Sequence, residues 1–336
     1  MKPSPNRLAS CLRNYFADHL PHLRGMSPHT IHSYRDSLVL LLRFVASDRK
    51  VEVCDLDLDD IQPDRILAFL AHLEKDRDNC VATRNVRLAA IHAFFRYVGA
   101  QHPDHIEQAQ RILSVPFKRA DQRVIEYLDR TEIEAVLARV DRSTANGRRD
   151  YALLTTMFNT GARVQEVIDL RASNLQLTRP YQLRLFGKGR KERYCPLWPQ
   201  TAQVLMAFCE ERRIDLRSDA RVFLNHRGVH LTRFGVRYIL AKHVDRARPV
   251  VATLGRKRLH PHSMRHSCAV ALLKSGVDLS TISQWLGHAS PITTNRYATI
   301  DLDMKRDAIN RVKPVAGSRK ALWRTNETVL EWLEKL

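Results

Sequence analysis

Residues 260–300 read HPHSMRHSCAVALLKSGVDLSTISQWLGHASPITTNRYATI. Three polar stations punctuate this stretch: His262-x-x-Arg265-His266, then Leu286-Gly287-His288, then Tyr297. Short amphipathic runs, read as helices, separate them. Phosphate chemistry has a use for each station. Arginine carries a planar fork of donors that matches phosphate oxygens. Histidine donates to an oxygen or moves a proton near neutral pH. Tyrosine can attack phosphorus and form a covalent ester. The stretch therefore predicts a nucleophilic tyrosine over a cationic phosphate clamp, on helices.

The rest of the chain fits a polyanionic substrate. Its 336 residues suffice for two domains, and 44% hydrophobic content suffices for packed cores. The net charge of +19 is spread through folded-looking segments, which favours nucleic acid over a membrane surface. The six cysteines are scattered with no C-x-x-C pair, an argument against a zinc ribbon or disulfide framework. His260, His262, His266 and Cys268 are close in sequence, but no second cysteine–histidine group stands at finger spacing. No apolar run is long enough to span a bilayer, and no signal-peptide pattern opens the chain, so a cytoplasmic protein is expected.

Upstream, residues 1–25 carry one helical pattern, Leu8, Cys11, Leu12, Tyr15 and Phe16. Ser27-Pro28 then predicts a capped helix with Ile31, Tyr34, Leu38, Leu41, Leu42 and Val45 on one face. A further helix is expected from Gln62 to Lys75, with Ile66, Leu67, Phe69, Leu70 and Leu73 inside. Another runs from Thr83 to Val98, with Val86, Ala89, Ala90, Phe94 and Tyr97 inside and Arg84, Arg87 and Arg96 outside. Gly99 to about Arg123 interrupts the pattern. The expected domains are an N-terminal helical bundle over 1–112, a linker over 113–123, a catalytic domain over 124–316 and a tail over 317–336.

The second domain should open with a strand from Val124 to Tyr127. Asp129-Arg-Thr-Glu132 is a capping box for a helix to Val140. Asn146–Thr160 reads as a buried helix ended by Gly161. Arg163 lies one turn before Glu166, and by itself this pair reads as an ordinary i,i+3 surface ion pair. Tyr181–Phe186 and Glu192–Leu197 predict a hairpin with the cationic tip Gly187-Lys188-Gly189-Arg190-Lys191. This is not a nucleotide-binding phosphate loop, since no G-x-x-x-x-G-K-[ST] is present. Pro199–Ile214 and Thr232–Arg246 are further helices. The latter is basic, with Phe234, Val236, Ile239 and Leu240 expected inward and Arg237 and Lys242 outward.

Four motifs together resemble the tyrosine recombinases, or phage integrase family, most nearly their two-domain Xer-like members: TGARVQEV (160–167), GKGRKERYCPL (187–197), HPHSMRHSCAVALLKSG (260–276) and LGHASPITTNRYATI (286–300). The resemblance implies a mainly α protein with a small β-sheet. An N-terminal helical, SAM-like core-binding bundle would precede a mixed α/β catalytic domain. It implies that Arg163 and Arg265 grip the scissile phosphate, that His288 donates to it and that His262 assists proton movement. Lys188 would be the general acid, Tyr297 the nucleophile, and Glu166 a brace for the cations. His266 is expected to pack. Arg84, Arg87, Arg190, Lys191, Arg237 and Lys242 are candidates for DNA backbone contact. No cofactor and no metal are implied. The expected partner is double-stranded DNA with paired recombination half-sites. A homo-tetramer is expected on two duplexes, with or without a related recombinase. A single-duplex topoisomerase-like enzyme, a hairpin-resolving strand transferase and a non-catalytic DNA-binding relative are the alternatives.

Overall fold

The computed structural model describes residues 6–120, 125–187 and 191–287, together with Thr294 and Tyr297. The chain divides into two compact units, Met1–Arg123 and Val124–Leu336. The first is helical. Helix α1 (Arg7–Asn14) runs on as a π-type helix (Tyr15–Leu23), and α2 (Pro28–Arg49), α3 (Pro63–Lys75), α4 (Val81–Gln101) and α5 (Ile106–Leu113) follow. Ser27 caps α2 by accepting from the Thr30 amide at 3.3 Å, with Pro28 in the first turn. The spacing of apolar residues sends Leu38, Leu41 and Val45 of α2 into one core with Ile66, Phe69, Leu70 and Leu73 of α3 and Leu88, Ile91, Phe94 and Phe95 of α4. Fully burying one such side chain contributes about 1.5–3 kcal/mol.

Three expectations for this unit are corrected. Leu67 and Val86 lie outside the core, at 48% and 56% exposure. Leu67 is one position off the face that Ile66 fills, and Val86 stands two positions from both buried Arg84 and buried Leu88, turned away from them. Helix α5 forms inside the stretch expected to be interrupted. Only Ala109 and Ile112 of its eight residues are buried, too weak a periodicity to read. Gly99 lets it approach, since a Cβ there would lie 3.0 Å from the Ala109 Cβ. Arg84, expected on a DNA-facing surface, is only 4% exposed and donates to the Pro116 carbonyl at 3.1 Å, tying α4 to the segment after α5.

The second unit contains α6 (Arg130–Ala138), α7 (Ala145–Thr160), α8 (Val164–Ile168), α9 (Pro199–Glu211), α10 (Arg233–Ala247), α11 (Pro261–Lys274) and α12 (Leu279–Leu286). A three-stranded antiparallel sheet, β1 (Leu175–Gln176), β2 (Gln182–Phe186) and β3 (Glu192–Pro196), lies between α8 and α9 in sequence, in the order β1-β2-β3. Its register pairs Leu183 with Cys195 and Leu185 with Arg193. The capping box of α6 is formed in both directions, at 2.8 Å each way between Asp129 and Glu132.

Two expectations fail here. Residues 125–127 form no strand; Ile125 and Tyr127 pack against the α11–α12 cluster, and the next amide, of Leu128, donates to Ser267 Oγ at 2.8 Å. The apolar side chains of this run meet a packing surface and not a sheet edge. Phe234, expected inward, is 82% exposed, because α10 turns its Val236, Ile239 and Leu240 face to the core. The opposite face presents Phe234, Arg237 and Tyr238 to solvent, Tyr238 at 70% exposure. A buried polar tie joins α10 to α7: His243 Nε2 lies 3.0 Å from Asp150 Oδ2, and Arg149 donates to the other carboxylate oxygen at 2.7 Å. No helix among the described residues is long and apolar enough to cross a membrane.

Candidate active site

The site begins where α7 stops. Gly161 ends that helix in the left-handed region at φ 59°, and a side chain there would collide with Leu286 and come within 3.1 Å of Cys268 Sγ. The reversal places Arg163 at the N-cap of α8. Its amide donates to Glu166 Oε2 at 2.8 Å and its Nη1 to Glu166 Oε1 at 2.9 Å. This is no surface pair. The Glu166 side chain is only 3% exposed, and Arg193 on β3 meets both its oxygens, Nη1 to Oε1 at 2.9 Å and Nη2 to Oε2 at 2.7 Å. Burial would raise the carboxyl pKa, but hydrogen bonds from Arg193 and Arg163 and the charge of Arg193 bring it below the usual range. Burial likewise disfavours the Arg193 cation, and Glu166 more than offsets it, so its pKa is raised.

Arg193 was missed by the sequence reading. A signal existed: in a strand, Arg193 shares a face with Cys195, two positions on, and Cys195 is fully buried. An arginine aligned with a buried residue needs a carboxylate.

Arg265 comes from α11 and is 1% exposed. It donates to the Gly161 carbonyl at 2.8 Å and to the Leu286 carbonyl at 2.6 Å. Burial first, and then the charge of Arg163, lower its pKa to about 10, which leaves it cationic at neutral pH. The negatively polarised end of α12 collects these cations. Arg193 Nε donates to the Trp285 carbonyl at 3.0 Å, Arg265 to that of Leu286, and Arg163 Nη2 to that of Gly287 at 3.1 Å. Three successive carbonyls are thus each held by a different arginine. Gly287 turns the chain at φ 64°, directly before His288.

Tyr297 is 2% exposed and packs with Cys268, Val270, Ile282 and Leu286. Its hydroxyl lies 2.8 Å from His266 Nδ1. His266, expected to pack, therefore also contacts the phenol oxygen. The exposed His262 ring stands against that of His266, with centroids 4.5 Å apart and planes at 81°. The fold thus brings together Arg163, Glu166, Arg265 and Tyr297, with His262 one ring further out. Lys188, Arg190 and His288 lie outside the described residues. Of the other candidate DNA contacts, Lys191 and Arg237 are exposed, while Arg87 and Lys242 are half-buried.

Residues 126–304 match the phage integrase family, and residues 13–102 match the phage integrase N-terminal SAM-like domain. The chain is 38% identical over 330 residues to the putative integrase/recombinase y4rC of Sinorhizobium fredii, covering 98% of each chain. It is 31% identical over 300 residues to tyrosine recombinase XerD of Listeria innocua, covering 87% of this chain and 95% of that one. Among solved structures it resembles XerH site-specific recombinase bound to a palindromic difH substrate (TM-score 0.66, 23% identity, 85% of this chain and 81% of that one). It also resembles the Tn1549 transposon integrase in complex with transposon right-end DNA (TM-score 0.68, 17% identity, 90% and 98%). At such identities the two structures speak for the fold. The sequence matches, which span both units, carry the assignment: this chain belongs to the phage integrase family and is a tyrosine-type site-specific DNA recombinase.

Proposed function

We propose that Tyr297 cleaves one strand of duplex DNA at a phosphate held by Arg163 and Arg265. The observation that carries this is the convergence of both arginines on the end of α12, with the tyrosine in the same cluster. Where carbonyl oxygens now accept from the arginine forks, phosphate oxygens would be equally suited. The Tyr297 oxygen attacks phosphorus and its proton leaves by way of His262. The bond to the 5′ oxygen breaks, and Lys188 protonates that oxygen. His288 and the arginines stabilise the charge that builds on the non-bridging oxygens. The product is a 3′-phosphotyrosyl ester and a free 5′ hydroxyl. Attack by a 5′ hydroxyl from another duplex reverses the step and joins the strands. One ester is exchanged for another, so no external energy source is required. The chemistry serves integration, excision or resolution alike.

Half-sites selected from a random duplex pool supply the substrate for the test. A half-site nicked near its cleavage point loses the 5′ fragment, and the expected result is a protease-sensitive covalent complex. Failure to trap one would reject the chemistry.

Arg87, Arg190, Lys191, Arg237 and Lys242 are proposed to follow the DNA backbone. Phe234 and Tyr238 flank Arg237, which suits contact with base edges and thymine methyl groups. Half-site affinity should fall with salt at a log–log slope of roughly −0.9 per phosphate neutralised. A flat response would remove the backbone contacts from consideration. The clamp is built of cations, so cleavage should persist in EDTA, and a strict divalent-metal requirement would count against it.

Assembly as a homo-tetramer on two duplexes, in the cytoplasm and within a mobile element or a resolution system, is part of the same proposal. Residues 317–336, which lie outside the described residues, carry an amphipathic pattern of Leu322, Val329, Leu330, Leu333 and Leu336. We assign this tail to contact with a neighbouring protomer. Removing residues 321–336 should spare half-site binding and impair synapsis; unchanged recombination would end the assignment.

A further inference from the structure

Arg193 has no role in the chemistry above, yet it adjoins three of the segments that carry its residues: the start of α8, the base of the hairpin and the end of α12. Through Glu166 it is one carboxylate away from Arg163. At the base of the hairpin, a Cβ on Gly187 would lie 3.4 Å from Glu166 Oε1 and 3.7 Å from Arg193 Nη1. The Gly187 amide also donates to the Lys191 carbonyl at 2.7 Å, closing that base. At the end of α12, Arg193 donates to the Trp285 carbonyl, and a Cβ on Gly287 would lie 3.0 Å from Arg193 Cδ and 3.1 Å from Nη1. Gly187 directly precedes Lys188, and Gly287 directly precedes His288. Arginine and glycine thus meet at the two points where the chain leaves for the general acid and for the histidine that donates a hydrogen bond to the phosphate.

We infer that Arg193 is a positioning residue that ties together Arg163, the base of the hairpin at Gly187 and the end of α12 at Gly287. This inference rests on the strand-transfer chemistry proposed above. Its geometry requires arginine. The planar fork meets both Glu166 oxygens while Nε meets the Trp285 carbonyl, three directions fixed by one rigid group. A lysine would restore the charge and lose the fork. The side chain is 10% exposed, so it is shielded from bulk water and does not depend on DNA for its contacts. The competing explanation is a buried ion pair that only stabilises the fold. Such a pair would alter melting and leave the cleavage rate of folded protein unchanged.

The test uses the full chain and R193Q, R193K, E166Q and R193Q/E166Q, all well below their melting temperatures. Half-site affinity and single-turnover adduct formation on the nicked half-site are measured for each. R193Q should bind near the wild-type affinity and form adduct about 10²-fold more slowly, the loss that a misplacement of roughly 1 Å produces. R193K should recover only a minor part of that rate. The double variant should be no slower than the slower single, because Arg193 and Glu166 act as one unit. A wild-type rate in R193Q, full rescue by lysine, or losses that simply multiply would overturn the inference. If R193Q fails to fold, R193K carries the test, and a wild-type rate in it has the same meaning. The wild-type adduct separates the two levels. Its absence overturns the strand-transfer chemistry and Arg193's role with it, whereas its presence with an unaffected R193Q overturns the role of Arg193 alone.

Discussion

Tyr297→Phe should bind its half-site as the wild type does and form no covalent adduct at all. The substitution removes one oxygen and keeps the ring, which is 2% exposed and packed with Cys268, Val270 and Leu286. The fold should tolerate it, at the loss of one hydrogen bond to His266 Nδ1. The chemistry should not. A tyrosine with an ordinary pKa near 10 is only about one-thousandth phenolate at pH 7, a deprotonation cost of about 4 kcal/mol. A cationic pocket offsets this for a phenol, but phenylalanine has no oxygen to deprotonate. The measurement is a nicked half-site incubated with each protein and resolved with and without protease. A protease-sensitive adduct from the phenylalanine variant would mean that another side chain attacks. Circular dichroism and half-site affinity exclude the trivial outcome of an unfolded variant.

Lys188→Ala should cleave ordinary DNA slower by about 10²–10⁴-fold, the usual contribution of a positioned acid. The departing 5′ oxygen is a poor leaving group until it gains a proton. Sulfur in place of that oxygen leaves as a thiolate without one, so the sulfur substrate should largely erase the defect. Lys191 is the necessary control. It is exposed and directly precedes β3, and its carbonyl accepts from Gly187 at the hairpin base. Lys191→Ala should lose little on either substrate. Rescue of Lys191→Ala and not of Lys188→Ala would transfer the acid to Lys191. Rescue of neither would leave the hairpin as a phosphate-binding arm.

Local patterns carried much of the architecture. Ser27-Pro28, Asp129 with Glu132, and Gly161 each mark a helix end by a mechanism confined to a few residues, and each is formed as expected. The hairpin was legible for the same reason, since alternation and turn chemistry are both local. The errors share a cause. Val86, Leu67 and Phe234 were placed inside because they are apolar and near the right period, yet whether a position faces the core depends on how far each face is covered by neighbours. Val124–Tyr127 reads as a short strand, but so short an apolar run does not say whether its partner is another strand or a helix surface.

The sequence alone determined which chemistry is available. Its arginines, histidines, lysine and tyrosine stand at motif spacings that no local folding rule requires, and together they name the family. Only the tertiary structure decided how they are held. The Arg163–Glu166 spacing permits a wet surface pair. It becomes a buried brace because Arg193 arrives from β3, 27 positions away, and burial makes a shared carboxylate the only stable arrangement. The end of α12 gathers Arg163, Arg193 and Arg265 for a related reason: the last carbonyls of a helix have no partner within it and need donors, and these three arginines are the ones the fold packs beside it.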